Sequence, residues 1–360
     1  MHWRSGLPVP GLEHSPSAVK GYSMKLNRCN KIAVLACGLA LAAAATSASA
    51  ASQGVGAAGG EAPNSITTDN RASYELSVGT EMMTGDTTYQ IGFPLVSPTG
   101  VVYEGHFPIS ELIWPLDVWL GRIDGRATIN DQWRINATLK KDLSTPDDNM
   151  EDSDWLTASN PSRLDVFSES EISSFDAIIV DTDVEWAFFR RGNMSVYAGL
   201  GYLYQNLDYE GELLQQFSPS GIPGAEYHGD GRVGITYEMI YSIPYLKFGG
   251  DLQAGPNLTM EGSIAYSPIV NAEDTDHHLL REYGGKISSG DMEGDAFMLE
   301  ISGKYLFTPS IFMEAGFQLT KIEVDGTQAQ EYGWGFPIGT VDEEAESTQS
   351  SGFISVGYSF

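Results

Sequence analysis

From Phe297 the chain alternates without a break, Phe297, Leu299, Ile301, Gly303 and Tyr305 against Met298, Glu300, Ser302 and Lys304. The same two-residue period returns at Met313, Ala315, Phe317 and Leu319 against Glu314, Gly316, Gln318 and Thr320. It also sets Trp133, Ile135, Ala137 and Leu139 against Arg134, Asn136, Thr138 and Lys140. A period of two is that of a β-strand, whose successive side chains point to opposite faces. One face is apolar for about ten residues at a time, while the other mixes charge, amide and glycine. A soluble sandwich turns its apolar face inward and seldom carries it so far. Lipid on one side and a polar lumen on the other require this pattern, and closure leaves no unpaired strand edge in hydrocarbon.

Tight turns are expected at Asn130-Asp131, Arg191-Gly192-Asn193, Gly255-Pro256-Asn257 and Thr308-Pro309. Long loops are expected near 86–108, 145–173, 209–232, 273–291 and 325–348. Five long loops alternating with four short turns make ten strands. The predicted fold is therefore all-β: a ten-stranded antiparallel transmembrane β-barrel with long extracellular loops and short periplasmic turns. The last strand sets Ile354, Val356, Tyr358 and Phe360 outward and Ser355, Gly357 and Ser359 inward. Its terminal aromatic resembles the signal read by barrel-assembly machinery, an expected partner in a cell outer membrane.

The N-terminal part follows another pattern. Lys25, Arg28 and Lys31 precede an apolar run over 32–45, which ends in Ala48-Ser49-Ala50, the small-x-small site of a signal peptide. This predicts a non-native extension 1–23, a signal peptide 24–50, a flexible segment 51–71 and a barrel 72–360. Cleavage as a lipoprotein before Cys37 is the alternative. Both cysteines, Cys29 and Cys37, fall in the leader, which excludes disulfides and cysteine catalysis in the mature chain. Nowhere later do about 18–20 consecutive apolar residues suggest a membrane helix. The formal charge of −28 argues against nucleic acid and against adsorption to anionic surfaces. Asp147, Asp148, Glu151, Glu273, Asp274, Asp342, Glu343, Glu344 and Glu346 all fall in expected outer loops. They serve either solubility or a negative mouth that attracts cationic peptides.

Two of those loops carry candidate chemistry. One contains Asn149-Met150-Glu151-Asp152-Ser153-Asp154-Trp155, the other Glu273-Asp274-Thr275-Asp276-His277-His278. In extended backbone, Asp152 shares a face with Asp154, and Asp276 with His278. Counting from Arg134 turns Asp152 and Asp154 into the lumen; the same count turns Asp276 and His278 inward only if Pro268 marks a bulge. His278, oriented by Asp276, is suited to take a proton from water. Two close carboxylates repel, which raises one pKa and lets the pair hold a proton for the tetrahedral intermediate. That is peptide hydrolysis without a covalent intermediate and without a cofactor. A calcium site at the same carboxylates, or a metal held by His277 and His278, is the competing use of these residues.

From about Tyr74 to Phe360 the chain resembles the omptin family of ten-stranded outer-membrane endopeptidases. The resemblance is sharpest at Asn149-Met150, Asp152-x-Asp154-Trp155 and Ser159-Asn160-Pro161, and at Tyr266-Ser267, Val270, Asp274, Asp276 and His278. Tyr237, Pro244-Tyr245 and Thr308-Pro309 add weaker matches. It implies that Asp152, Asp154, Asp276 and His278 are catalytic, that Asp274 lines a pocket for a basic substrate residue, and that the site faces outward. Two positions depart. Thr87-Thr88-Tyr89 stands where the family supplies a glutamate to that pocket, with Glu81 and Asp86 as unaligned substitutes. Tyr202 is kept among the residues implied to contact lipopolysaccharide, but Tyr204 and Asn206 replace an acid and an arginine. A non-enzymatic pore, adhesin or structural barrel on the same scaffold is the alternative, because fold does not fix function.

Overall fold

The computed structural model describes residues 72–360. The expected extension 1–23, signal peptide 24–50 and segment 51–71, with Cys29 and Cys37, lie outside the described residues. In chain order the strands are β1 (Ala72–Val96), β2 (Val102–Tyr103), β3 (Ser110–Pro115), β4 (Val118–Ile129), β5 (Trp133–Asp142), β6 (Met150–Asp154) and β7 (Val166–Arg191). There follow β8 (Met194–Phe217), β9 (Tyr227–His228), β10 (Val233–Gln253), β11 (Leu258–His278), β12 (Lys286–Leu306), β13 (Ile311–Tyr332) and β14 (Phe336–Ser359). All pairings are antiparallel, and the ladder runs from β1 through β14, β13, β12, β11, β10, β8, β7, β5 and β4 back to β1, so the sheet closes on itself as a barrel.

Among the described residues fourteen strands appear where the sequence suggested ten. The difference has a local cause. β3 and β4 pair with β1 in one continuous register, Asp86 to Pro115 and Met83 to Val118, so they are one wall strand broken at 116–117. β5 and β6 both pair with β7 and are separated by 143–149. β2 and β9 are two-residue ladders on β1 and β8.

The four short turns stand where the alternation breaks. Asn130 and Asp131 take φ of 54° and 55°, the left-handed pair that a two-residue hairpin demands. At the other end the strands run far beyond the expected loop boundaries. β11 continues to His278, β13 to Tyr332, and β14 starts at Phe336, so most of 273–291 and 325–348 is wall. Outside hydrocarbon neither face of a strand needs to be apolar, and the alternation that marks a strand fades although the ladder continues.

Leu76, Ile123, Leu200, Phe248, Ile264 and Val356 are exposed on the outer wall and form the apolar belt. On β12 the belt covers Phe297 to Tyr305; above it Asp291, Glu293 and Asp295 face outward. Inside the belt the lumen is filled by ion pairs. Glu81 accepts from Arg122 and Lys140, Arg126 forks onto Glu261, and Lys247 joins Asp183 and Glu185. The cavity left among Glu81, Lys140, Asp181, Tyr245, Lys247 and Glu300 is only about 60 Å³. Over this plug sits an apolar core, with Leu112, Trp114, Tyr209, Tyr237 and Met239 fully buried. The core is the floor of the mouth.

Candidate active site

The catalytic candidates lie on strand ends rather than in loops. Asp152 and Asp154 belong to β6, opposite Leu112 and Ser110 of β3, and Ser110 Oγ lies 3.5 Å from Asp152 Oδ1. Asp274, Asp276 and His278 occupy the last turns of β11's alternation. Their orientation depends on a one-residue register shift between Ser267 and Val270, at Pro268-Ile269. Below the shift Ile264 and Tyr266 are exposed; above it Ile269 faces out, and Asp274 and Asp276 are buried inside. Proline has no N–H for the ladder, so a bulge is where a strand tolerates it.

Asp276 is wholly buried and works as an anchor. Tyr89 Oη donates to its Oδ2 at 2.8 Å, and His278 Nε2 donates to the same oxygen at 3.0 Å. That bond leaves Nδ1 as the basic nitrogen of the imidazole. His278 itself is 14% exposed, within reach of a substrate. Burial, reinforced by Arg281 and Lys286, outweighs Asp276 and holds the imidazole below its ordinary pKa, so it is neutral at neutral pH. Burial also pushes Asp276 up, but His278, Lys286 and the Tyr89 hydroxyl more than offset it and keep the carboxylate ionised.

Across the mouth the second pair behaves oppositely. Burial, then repulsion from Asp154, drives Asp152 well above the carboxylate range. Burial raises Asp154 too, against Arg281, Ser110 and His278. The charge of Asp276 bears on Asp152, and that of His278 on Asp154, so the two pairs lie within electrostatic reach of each other. An ionised acid beside a neutral base on one wall, and a carboxyl pair that holds a proton on the other, suit water activation and leaving-group protonation.

The sequence missed several members of this site. Tyr89, noted only as a departure, supplies the hydrogen bond to Asp276. Lys286 is the cross-strand partner of His278, and its charge is felt by all three aspartates. Glu81 and Asp86 do not replace the absent glutamate: Glu81 is tied to Arg122 and Lys140 in the lumen, and Asp86 is exposed. Glu343 of β14 stands beside Asp274, both against Gly290. Counting by twos from Ser355 along β14 would have turned it inward. Tyr202, Tyr204 and Asn206 lie on β8, with Tyr202 Oη donating to Ser242 and Asn206 Nδ2 to Glu238. Among the described residues no group of three or more His, Cys, Asp or Glu stands together as a metal set.

The crystal structure of the outer membrane protease OmpT from Escherichia coli is similar in fold, with a TM-score of 0.63 and 17% sequence identity. The match covers 83% of this chain and 99% of that one. The outer membrane protein OprG from Pseudomonas aeruginosa matches more loosely, at a TM-score of 0.34 and 8% identity over 81% of this chain and 97% of that one. No curated protein sequence matches the chain. The model of the Omptin family matches residues 89–360, a span that holds every candidate catalytic residue, and the chain belongs to that family.

Proposed function

We propose that the chain is an outer-membrane endopeptidase that cleaves peptide bonds at the outward mouth of its barrel and favours cationic peptides. The observation that carries this reading is that Asp152 and Asp154 of β6 lie within electrostatic reach of the bonded pair Asp276 and His278 of β11. In the proposed reaction His278 Nδ1 takes a proton from a water as its oxygen attacks the scissile carbonyl. Asp276 stabilises the imidazolium that forms. The proton held by Asp152 and Asp154 passes towards the leaving amine as the C–N bond breaks, and the proton on His278 resets the carboxyl pair. The filled lumen disfavours the alternative of a pore, because the ion pairs around Glu81 and Glu185 occupy the path a solute would take.

The test is a refolded barrel assayed on peptides with paired basic residues and on a broad peptide library. Asp152→Ala and His278→Ala are each expected to lower kcat/KM by about 1,000-fold or more. No cleavage by the wild type, or variants indistinguishable from it, would sink the reading. Activity abolished by a chelator and restored by calcium would instead place the reaction on an ion. Lipopolysaccharide as an activator is a separate proposal, read from a change in rate on adding it.

A further inference from the structure

Lys140, Lys141, Lys247, Lys304 and Lys321 each hold a carboxylate in an ion pair. Lys286 alone among the described lysines holds none, although acids crowd the mouth where it stands. The sheet fixes its place. Its backbone pairs with His278 on one side and with Tyr332 on the other, so the ladder holds it from both flanks. Residues directly opposite in an antiparallel pair leave the same face, with Cβ atoms about 4.5–5.5 Å apart. Lys286 therefore stands half-buried on the inner face beside His278, and the next inward pair below is Asp276 and Ser288.

Its charge bears on Asp152, Asp154, Asp276 and His278 alike. Burial first and Arg281 second pull the ammonium down to about 8, against Asp276, Asp154 and Asp152, so it keeps its proton at pH 7. Arg281 acts on Asp152, Asp154 and His278 too, but it is exposed in the connection between β11 and β12, where water and salt screen it.

The reaction creates a charge that the four catalytic candidates do not meet. When water adds to the scissile carbonyl, the π pair moves onto the carbonyl oxygen, and the oxyanion forms among three aspartates. Asp276 is committed to His278, and the proton of the carboxyl pair to the leaving amine. A cation with no partner, fixed on a strand and shielded from bulk water, stabilises such an oxygen without having to reorganise. A lysine kept for stability grips a carboxylate, as those of the lumen do.

We propose that Lys286 is a further catalytic residue, whose ammonium receives the oxyanion of the tetrahedral intermediate. The proposal rests on the endopeptidase reading and supplies the role that reading leaves empty. No proton moves to or from Lys286. His278 takes the water proton as the new C–O bond forms; the electron pair on the oxyanion then restores the carbonyl as the C–N bond breaks and the carboxyl pair protonates the amine.

The experiment uses the refolded barrel at pH 7 and two inhibitors built on one peptide with paired basic residues. In one a phosphinate replaces the scissile bond, a tetrahedral anion; in the other a hydroxyethylene does, tetrahedral but neutral. Lys286→Met and Lys286→Gln both remove the charge, the first keeping length and the second polarity, while Lys286→Arg keeps the charge. Each neutral variant is expected to lower kcat on the parent peptide by about 100-fold or more with KM little changed. Each should also cut the preference for phosphinate over hydroxyethylene by about 10- to 100-fold, entirely through the phosphinate. Lys286→Arg should restore part of both. An unchanged preference overturns the proposal even if kcat falls, because Lys286 would then act only through its neighbours. Equal loss of both inhibitors also overturns it and makes Lys286 a structural residue. A phosphinate preference that depends on Lys286, with no cleavage of any peptide, supports the anion site and refutes the endopeptidase. Cleavage at the wild-type rate by the neutral variants does the reverse.

Discussion

Tyr89 and His278 compete for one oxygen of Asp276, and that competition sets the working range of the base. A neutral imidazole is needed to take the proton, so activity must fall as pH drops through the pKa of His278 and plateau above it. Burial and the neighbouring cations hold that pKa under the ordinary 6.5, so the acid limb is expected below pH 6.5. Removing the phenol leaves Asp276 with more charge to share with His278. Tyr89→Phe should therefore move the acid limb to higher pH and cost roughly tenfold in kcat, with little change in KM. A pH profile of kcat/KM checks both, and a limb that stays in place would mean that Tyr89 only packs. The proton on Asp152 and Asp154 sets the other limb: their raised pKa values predict loss of activity as pH rises through them, because the acid needed by the leaving amine is then gone.

Two strand elements carry the site, and one of them was legible from its proline. Phase counting placed Asp152 inward directly and placed His278 inward only with a bulge at Pro268, where the register does shift by one residue. The apolar half of each strand was legible for the same reason: lipid imposes strict alternation on Phe297 to Tyr305. The outer half was not, because Glu273 and Asp274 on opposite faces of β11 are both acidic and give no contrast. The break between β3 and β4, and the meeting of Glu343 with Asp274 across Gly290, depend on which strands become neighbours in the closed sheet, which periodicity along one strand does not encode. The bulge yields a prediction of its own. Deleting Ile269 restores a single register along β11 and turns either its apolar lower half or its acidic upper half to the wrong face. Loss of cleavage by about 1,000-fold or more is expected, with the melting temperature lowered; wild-type kcat/KM in this deletion would show that the shift does not orient the site.

At the scale of the whole molecule the charge of −28 is unevenly placed. Within the lumen acids are matched by Arg122, Arg126, Arg134, Lys140, Lys247 and Lys304. On the outer wall above the apolar belt they face each other across strands. Asp208 lies opposite both Asp176 and Glu238, and Asp325 opposite both Glu293 and Glu344. Lys141 relieves Asp176, and Lys321 bridges Glu323 and Glu346 one level lower, but among the described residues no lysine or arginine pairs with Glu293, Asp325 or Glu344. Like charges directly opposite in a sheet cost about 0.2–1 kcal/mol each, and at an exposed site salt screens them over roughly 10 Å at 0.1 M. The barrel in neutral detergent should therefore melt at a higher temperature in 0.3 M than in 0.02 M sodium chloride. Asp325→Asn removes the middle charge of its row, so it should raise the low-salt melting temperature and flatten the salt dependence. The calorimetric comparison is direct: a variant with the same salt slope as wild type would show that the row contributes no net strain, and that the acids are held apart by more than the pairing of their backbones implies.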